Sequence, residues 1–151
     1  MRTLCRLHIS GSFHHILSSH HEREFKIVHH ITCRTEAVVY WMICPCGLIY
    51  VGMTTRALKV RILEHASKIR TASDVPEEEW EQLESVPRHF RKFHNCDPTC
   101  LRVRGIDRVQ LGIRGGDVKG ALLRKETKWI TLLNTVVPEG LNEYNSFKPF
   151  L

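Results

Sequence analysis

Tyr40 and Tyr50 lie in two short apolar runs, Val38 to Cys44 and Leu48 to Met53, on either side of a Cys-Pro-Cys-Gly turn. Arg61 and His65 follow at i and i+4, so on a helix they are surface neighbours. Glu126 stands almost at the other end of the chain, in a segment whose anchors are otherwise apolar. On a helical wheel it falls about 40° from Leu122 and about 20° from Leu133, inside a stripe completed by Trp129 and Ile130. A carboxylate there is costly to bury unless an arginine, a hydrogen-bond network or a cation compensates it. Phenol hydroxyls, a guanidinium, an imidazole and one buried carboxylate together suit phosphodiester hydrolysis. Glu126 would anchor one hard divalent cation, Mg²⁺ or Mn²⁺, which prefers oxygen ligands and polarises a phosphate. Arg61 would neutralise charge growing on the equatorial oxygens, and His65 would help to orient the phosphate. Tyr40 is the first choice to activate the attacking water, with Tyr50 its rival. A serine or cysteine nucleophile with a clear base is missing, as is a glycine-rich loop of the P-loop type. The plainer reading is a glutamate at the core edge paired with a lysine, and a histidine satisfied within a core.

The elements that must position these residues follow from pattern. The two apolar runs, with Pro45 and Gly47 between them, predict a tight antiparallel hairpin buried on at least one face. Thr54 or Thr55 is placed to cap a helix over residues 56–70, where Leu58, Ile62, Ala66 and Ile69 fall within about 80° of arc. The acidic stretch 71–84 reads as a surface insertion with a short helix opened by Pro76 and Glu77-Glu78-Glu79. Pro87 opens a further helix over 88–93 that stops near Asn95. Residues 101–111 predict a Val/Ile-rich strand, with Gly105 a possible bulge, and 112–120 a glycine-rich loop. A second strong helix spans 118–135, ended by Pro138-Glu139-Gly140. The tail, 141–151, is short and semi-apolar. This order describes a small α+β domain: a central antiparallel three-stranded sheet flanked by helices.

The 151 residues suffice for one domain of ordinary size. A formal charge of +6 mildly favours a polyanionic partner. No apolar run approaches the roughly 18 residues of a membrane span. His8, His14 and His15 interrupt every apolar stretch that would serve as a secretory leader. The cysteines are therefore expected in a reducing, intracellular compartment, as metal ligands or plain thiols. Residues 1–32 hold seven of the ten histidines without helical or strand periodicity. They read as a disordered or poorly packed leader, and 33–151 as the domain proper. Arg56, Lys59, Lys68 and Arg70 cluster with Arg61 near the first helix, and Arg88, Arg91 and Lys92 on the helix opened by Pro87. As a set they would track a nucleic-acid backbone, with Arg108, Arg114 and Lys119 extending the surface. No element reads as a base-recognition helix, so low sequence specificity is expected.

Val38-Val39-Tyr40 followed by Tyr50-Val51-Gly52, with Arg61 and His65 on the next helix, resembles the signature of the GIY-YIG endonucleases. The resemblance implies that Glu126 is the metal-binding glutamate and that Asn142 is the C-terminal asparagine supporting the site. Ile43 to Gly52, Val86 to Asn95, Leu122 to Ile130 and Pro138 to Glu143 are most similar to the endonuclease domain of Penelope-like retroelements. There the endonuclease follows a reverse transcriptase, for which this chain has no room. A detached C-terminal piece of a transposable element is implied, with DNA as partner, a nuclear location if active, and a reverse transcriptase as a possible partner in trans. Val38 replaces the first motif's glycine, and Met53 stands where other members often carry a lysine that contacts phosphate. The same branch implies a structural zinc site made by Cys44, Cys46, His89 and His94, which would pin the hairpin to the helix near Pro87. Cys96 and Cys100 are close enough in sequence to compete as ligands, whereas Cys5 and Cys33 carry no motif. The function expected is metal-dependent DNA nicking; the alternative is a catalytically inactive, zinc-stabilised nucleic-acid-binding remnant.

Overall fold

A computed structural model describes residues 15–18, 21–110 and 115–143. A two-stranded hairpin, β1 (His15–Ser18) and β2 (His21–Lys26), precedes the main sheet. That sheet has three antiparallel strands in the order β4-β3-β5, with β3 (Val38–Ile43) in the centre, β4 (Ile49–Thr54) on one edge and β5 (Arg102–Arg108) on the other. Three helices flank it: α1 (Leu58–Thr71), α2 (Ser85–Phe93) and α3 (Val118–Leu133). The expected α+β architecture and three-stranded antiparallel sheet are present.

Alternation along β3 divides the core. Val38, Tyr40 and Met42 face Leu58, Ile62 and Ile69 of α1 and Val86 and Phe90 of α2. Val39 on the other face meets Val51, Ile106 and the α3 residues Leu122, Trp129, Ile130 and Leu133. The period of two in the strand and of 3.6 in the helices thus yields three layers, with both faces of the sheet buried. Asp107 fastens the second layer. Its carboxylate accepts from Lys125 Nζ at 2.8 Å and Trp129 Nε1 at 3.1 Å, both on α3, and lies 3.3 Å from His29 Nε2.

Several boundaries differ from the sequence expectation. Neither Thr54 nor Thr55 caps α1; Ala57 occupies that position, and the Thr54 hydroxyl bonds the Arg56 main chain instead. Helix α2 begins at Ser85, so Pro87 lies inside the first turn, where a missing N–H costs nothing. Pro76 leads into a 3₁₀ segment, Glu77–Gln82, with none of its residues buried. Helix α3 ends at Asn134, which adopts the left-handed conformation with φ of 49°, ahead of Pro138-Glu139-Gly140. The bulge in β5 is real: Tyr40 pairs with Gly105 and Val39 with Asp107, leaving Ile106 as the extra residue. Gly105 also makes room for Ile31, whose Cγ2 would lie 2.3 Å from any added Cβ. Ile31 and Ile27, expected in the leader, are buried in the core. Residues 144–151 of the tail, Arg114 and Cys5 lie outside the described residues.

The outward edge of β4 is occupied in a regular way. The Leu141 N–H donates to the Ile49 carbonyl at 2.9 Å. Two residues on, the Asn142 side chain acts as a substitute strand: its Oδ1 accepts from the Val51 N–H at 2.9 Å and its Nδ2 donates to the Val51 carbonyl at 2.8 Å. Thr135 Oγ1 donates to the same Oδ1 at 2.7 Å, which fixes the amide's orientation. Two residues further, the Met53 backbone hydrogen-bonds Glu126.

Candidate active cleft and candidate metal centre

Tyr40 and Gly52 are direct partners across β3 and β4. A Cβ at Gly52 would lie 2.6 Å from Tyr40 Oη and 2.7 Å from Tyr50 Cε1. The absence of a side chain there lets both phenols close over the strand. His65, 2% exposed on the inner face of α1, is edge-on to both rings, with centroids 5.9 Å from Tyr40 and 5.7 Å from Tyr50. Its Nε2 lies 2.8 Å from Tyr40 Oη, and Arg61 Nε donates to the same oxygen at 3.2 Å. Arg61, one turn before His65, extends its other end outward, where Nη1 donates to Glu64 Oε2 at 3.2 Å.

Electrostatics in the cleft are governed by burial. Burial and the neighbouring Tyr50 hold the Tyr40 phenol well above its usual range, against Arg61. Burial and Glu126 push Tyr50 up to about 12. His65 is pushed down to about 4 by burial and then by the Arg61 charge. Burial raises Glu126 to about 7, outweighing both the attraction of Arg61 and the hydrogen bond from the Met53 backbone. Arg61 loses some of its preference for charge to burial but is held strongly cationic by Tyr40, Glu64 and Tyr50. The cleft therefore contains one fixed cation and an under-compensated carboxylate between neutral rings.

Hydrogen-bond counting shows a spare donor. Arg61 Nε–H, the Tyr40 hydroxyl and the His65 N–H share few acceptors. If Tyr40 donates to His65 Nε2, the ring proton sits on Nδ1, which is buried and has no partner among the described residues. If Nε2–H donates to Tyr40, that oxygen accepts twice and its own hydrogen is left over. Either way one donor is left without an acceptor among the described residues.

The structure brings Tyr40, Tyr50, Arg61 and His65 together, with Glu126 within electrostatic reach of Arg61 and both tyrosines and Asn142 behind them holding β4. The basic set fares unevenly. Arg91 Nη1 is committed to the Ala72 and Val75 carbonyls, and Arg88 to Glu143 and the Glu81 carbonyl. Lys68 pairs with Glu84, Arg56 with Glu64, and Lys92 lies over the Phe93 ring at 5.3 Å. Lys59 is exposed. Two contributors were missed in the sequence. Glu64 was legible as the i+3 partner of Arg61. Thr135 carried no local signal, because its role depends on a tertiary contact to Asn142.

At the far end of the same hairpin, Cys44, Cys46, His89 and His94 form a cluster that could hold a metal ion, their donor atoms all within 4.8 Å of one another. The Gly47 N–H bonds the Cys44 carbonyl at 2.9 Å, and Gly47, with φ of 92°, takes the backbone conformation that returns the chain to β4. This turn points both thiols at α2. Cys44 Sγ lies 3.1 Å from His89 Nε2 and 2.8 Å from His94 Nε2, and Cys46 Sγ lies 3.2 Å from His89 Nε2. Tetrahedral zinc bonds of about 2.3 Å to sulfur and 2.0–2.1 Å to nitrogen put donor atoms roughly 3.3–3.8 Å apart. The Cys46 N–H points at Cys44 Sγ at 3.3 Å, the kind of outer contact that steadies a thiolate ligand. Burial pushes the Cys44 thiol up to about 12 and lowers His89, which favours neutral imidazole for ligation. Cys96 and Cys100 do not join the cluster; Cys100 Sγ instead donates to the Asp97 carbonyl. The donor set fits zinc: two thiols from the hairpin turn and two imidazoles from α2 and its C-terminal cap.

Two measurements follow. Protein purified without chelator should carry about one equivalent of zinc, and Cys44→Ser or His94→Ala should lose it together with several kcal/mol of stability. Equal metal content and melting temperature in these variants would rule the site out. His65 should make stability pH-dependent. Its folded pKa, about 4, lies below its unfolded value, so the unfolded chain binds more protons between them. The contribution is fully present above the unfolded pKa and is lost as pH falls toward 4. Urea unfolding at pH 5 and pH 7 should show wild type losing more stability than His65→Gln on acidification, by an amount on the order of 2 kcal/mol.

Compared with models of known protein families, with curated proteins and with solved structures, the chain matches none.

Proposed function

We propose that this protein is a metal-dependent DNA endonuclease that hydrolyses phosphodiester bonds by nicking, of the GIY-YIG type implied by its sequence motifs. The observation that carries the reading is the convergence of Tyr40, Arg61 and His65 on one oxygen-centred contact, with Glu126, from the far end of the chain, within electrostatic reach of Arg61 and both tyrosines. A paired core glutamate and a satisfied core histidine, the plainer alternative, would not leave a carboxylate raised to about 7 or a spare donor on His65 or Tyr40.

Glu126 fits a hard divalent cation: it is an oxygen ligand whose burial is incompletely offset by Arg61 and a backbone N–H. Bound there with water completing its shell, Mg²⁺ or Mn²⁺ would polarise the phosphate and stabilise the leaving oxygen. The remaining work falls to the protein. Arg61 offers its guanidinium to the equatorial oxygens as charge grows on them. Tyr40 is favoured over Tyr50 for receiving the proton of the attacking water, because Tyr40 Oη has imidazole Nε2 at 2.8 Å as an outlet for its own proton. That exchange, open to the tautomer protonated on Nδ1, trades a free phenolate for an imidazolium, whose charge is opposed less once Arg61 has turned onto the phosphate. Tyr40 is fully buried beneath Arg61, so water reaches its oxygen when Arg61 turns onto the phosphate. Asn142 acts on stability rather than chemistry, by holding Val51 and hence the tyrosine strand. Zinc at the Cys44, Cys46, His89 and His94 cluster would be structural.

The test is conversion of supercoiled plasmid to open circles in Mg²⁺ or Mn²⁺. Wild type should nick, and Glu126→Gln should lose about a hundredfold or more in rate. Tyr40→Phe should fall by a similar factor and Tyr50→Phe by less. Nicking by Glu126→Gln at the wild-type rate would refute the mechanism. Salt-dependent DNA binding by wild type with no cleavage in either metal would identify a non-catalytic nucleic-acid-binding module instead.

A further inference from the structure

Among the described residues, Glu64 is the carboxylate shared by two arginines, Arg56 and Arg61. Its Oε1 lies 2.6 Å from Arg56 Nη2, and its Oε2 accepts from Arg56 Nη2 at 2.8 Å and from Arg61 Nη1 at 3.2 Å. The guanidinium of Arg61 is thus strung between two oxygens: Nε on Tyr40 and Nη1 on Glu64. An anion in the Glu64 position sits within one guanidinium's width of the tyrosine hydroxyl.

We infer that Glu64 holds the place of a backbone phosphate: its carboxylate fills an anion site built by Arg56 and Arg61, and a phosphodiester oxyanion displaces it when nucleic acid binds. Three features favour this over an ordinary surface ion pair. Guanidinium forks match carboxylate and phosphate oxygens with the same geometry, so the occupant is exchangeable. The pair is solvent-accessible, Arg56 at 57% and Glu64 at 34% side-chain exposure, so water screens it and its release is easy. Finally, Glu64 holds Arg61 Nη1 while Nε stays on Tyr40, so a phosphate that takes the Glu64 oxygen's place already meets the guanidinium, which then turns from Tyr40 onto it. Arg56, which Glu64 neutralises in the free protein, then becomes a phosphate contact. The chemical class of ligand is a phosphate monoanion of a nucleic-acid backbone.

The inference rests on the reading of the cleft as a phosphodiester site, and the experiment separates the two. Binding of a short fluorescein-labelled DNA duplex is measured by anisotropy in EDTA, for wild type, Glu64→Gln, Arg56→Ala and the double variant, across a salt series. Thermal unfolding of the same four proteins is followed in increasing inorganic phosphate. Glu64→Gln should bind DNA roughly threefold or more tightly at low salt, with a salt slope steeper by about one. Arg56→Ala should cost little alone and most of that gain in the Glu64→Gln background. Such coupling excludes a general effect of removing one negative charge, which would add independently. In the second arm, phosphate should raise the melting temperature of Glu64→Gln more than that of wild type, and Arg56→Ala should abolish the difference. DNA binding with strictly additive effects in both arms overturns the role of Glu64 and leaves the nucleic-acid reading standing. Phosphate coupling without DNA binding by any of the four proteins keeps the anion site and overturns the nucleic-acid reading.

Discussion

An edge strand presents a row of unpaired N–H and C=O groups, and a protein must satisfy or cover them. In this chain the outward side of β4 is met at every second residue by the C-terminal half: Ile49 by Leu141, Val51 by the Asn142 amide, and Met53 by Glu126. The rest of the cleft depends on this arrangement. Helix α3 packs on the face of the sheet opposite the tyrosine hydroxyls, yet its glutamate meets the Met53 backbone on β4 and acts electrostatically on both tyrosines. Removing the Asn142 contacts would leave two buried main-chain groups unsatisfied, each at a cost of roughly 1–3 kcal/mol. The strand that carries Tyr50 and Gly52 would lose its outer support.

The hairpin carries residues of both candidate sites. Its turn directs Cys44 and Cys46 at α2, and its body brings Tyr40 and Tyr50 together over Gly52. Helix α2 links them as well. Glu84, at the α2 N-cap, is among the charges acting on Tyr50 and His65, whereas His89 and His94 face the thiols at its other end. A metal ion at the turn would thus set the position of a helix whose opposite end borders the cleft. A metal there would then influence the proposed catalytic site without taking part in its chemistry.

The three strands of the main sheet, the three helices and the burial of His65 were legible because each rests on local pattern, whereas β1 and β2 lie in a stretch that showed no strand period. Glu126 was legible as a violation of that periodicity. What the sequence concealed was mostly termination and partnership. Thr54, Pro87 and Gly140 were each credible as boundary residues by type, but Ala57, Ser85 and Asn134 hold those positions, since tertiary contacts decide which local option is used. The basic residues looked equivalent. Burial and hydrogen bonding separate Arg91, which ties two carbonyls of a 3₁₀ turn, from Arg61, which faces the tyrosines. Ile27 and Ile31 fell in a histidine-rich stretch without periodicity, and Ile31 fits where Gly105, at the β5 bulge, has no side chain. The four thiol and imidazole ligands came from a family resemblance; their separations in space bring them within one ion's reach.

In the proposed mechanism Glu126, at the β4 edge, has its burial incompletely compensated, and a divalent cation would complete it. A carbon-13 NMR titration of the Glu126 side-chain carboxyl tests this most directly, first without divalent cations and then with Mg²⁺. The account predicts a midpoint of about 7, a further rise in Arg61→Ala, and a fall on adding Mg²⁺. A midpoint at the ordinary glutamate value, indifferent both to Mg²⁺ and to the loss of Arg61, would contradict it.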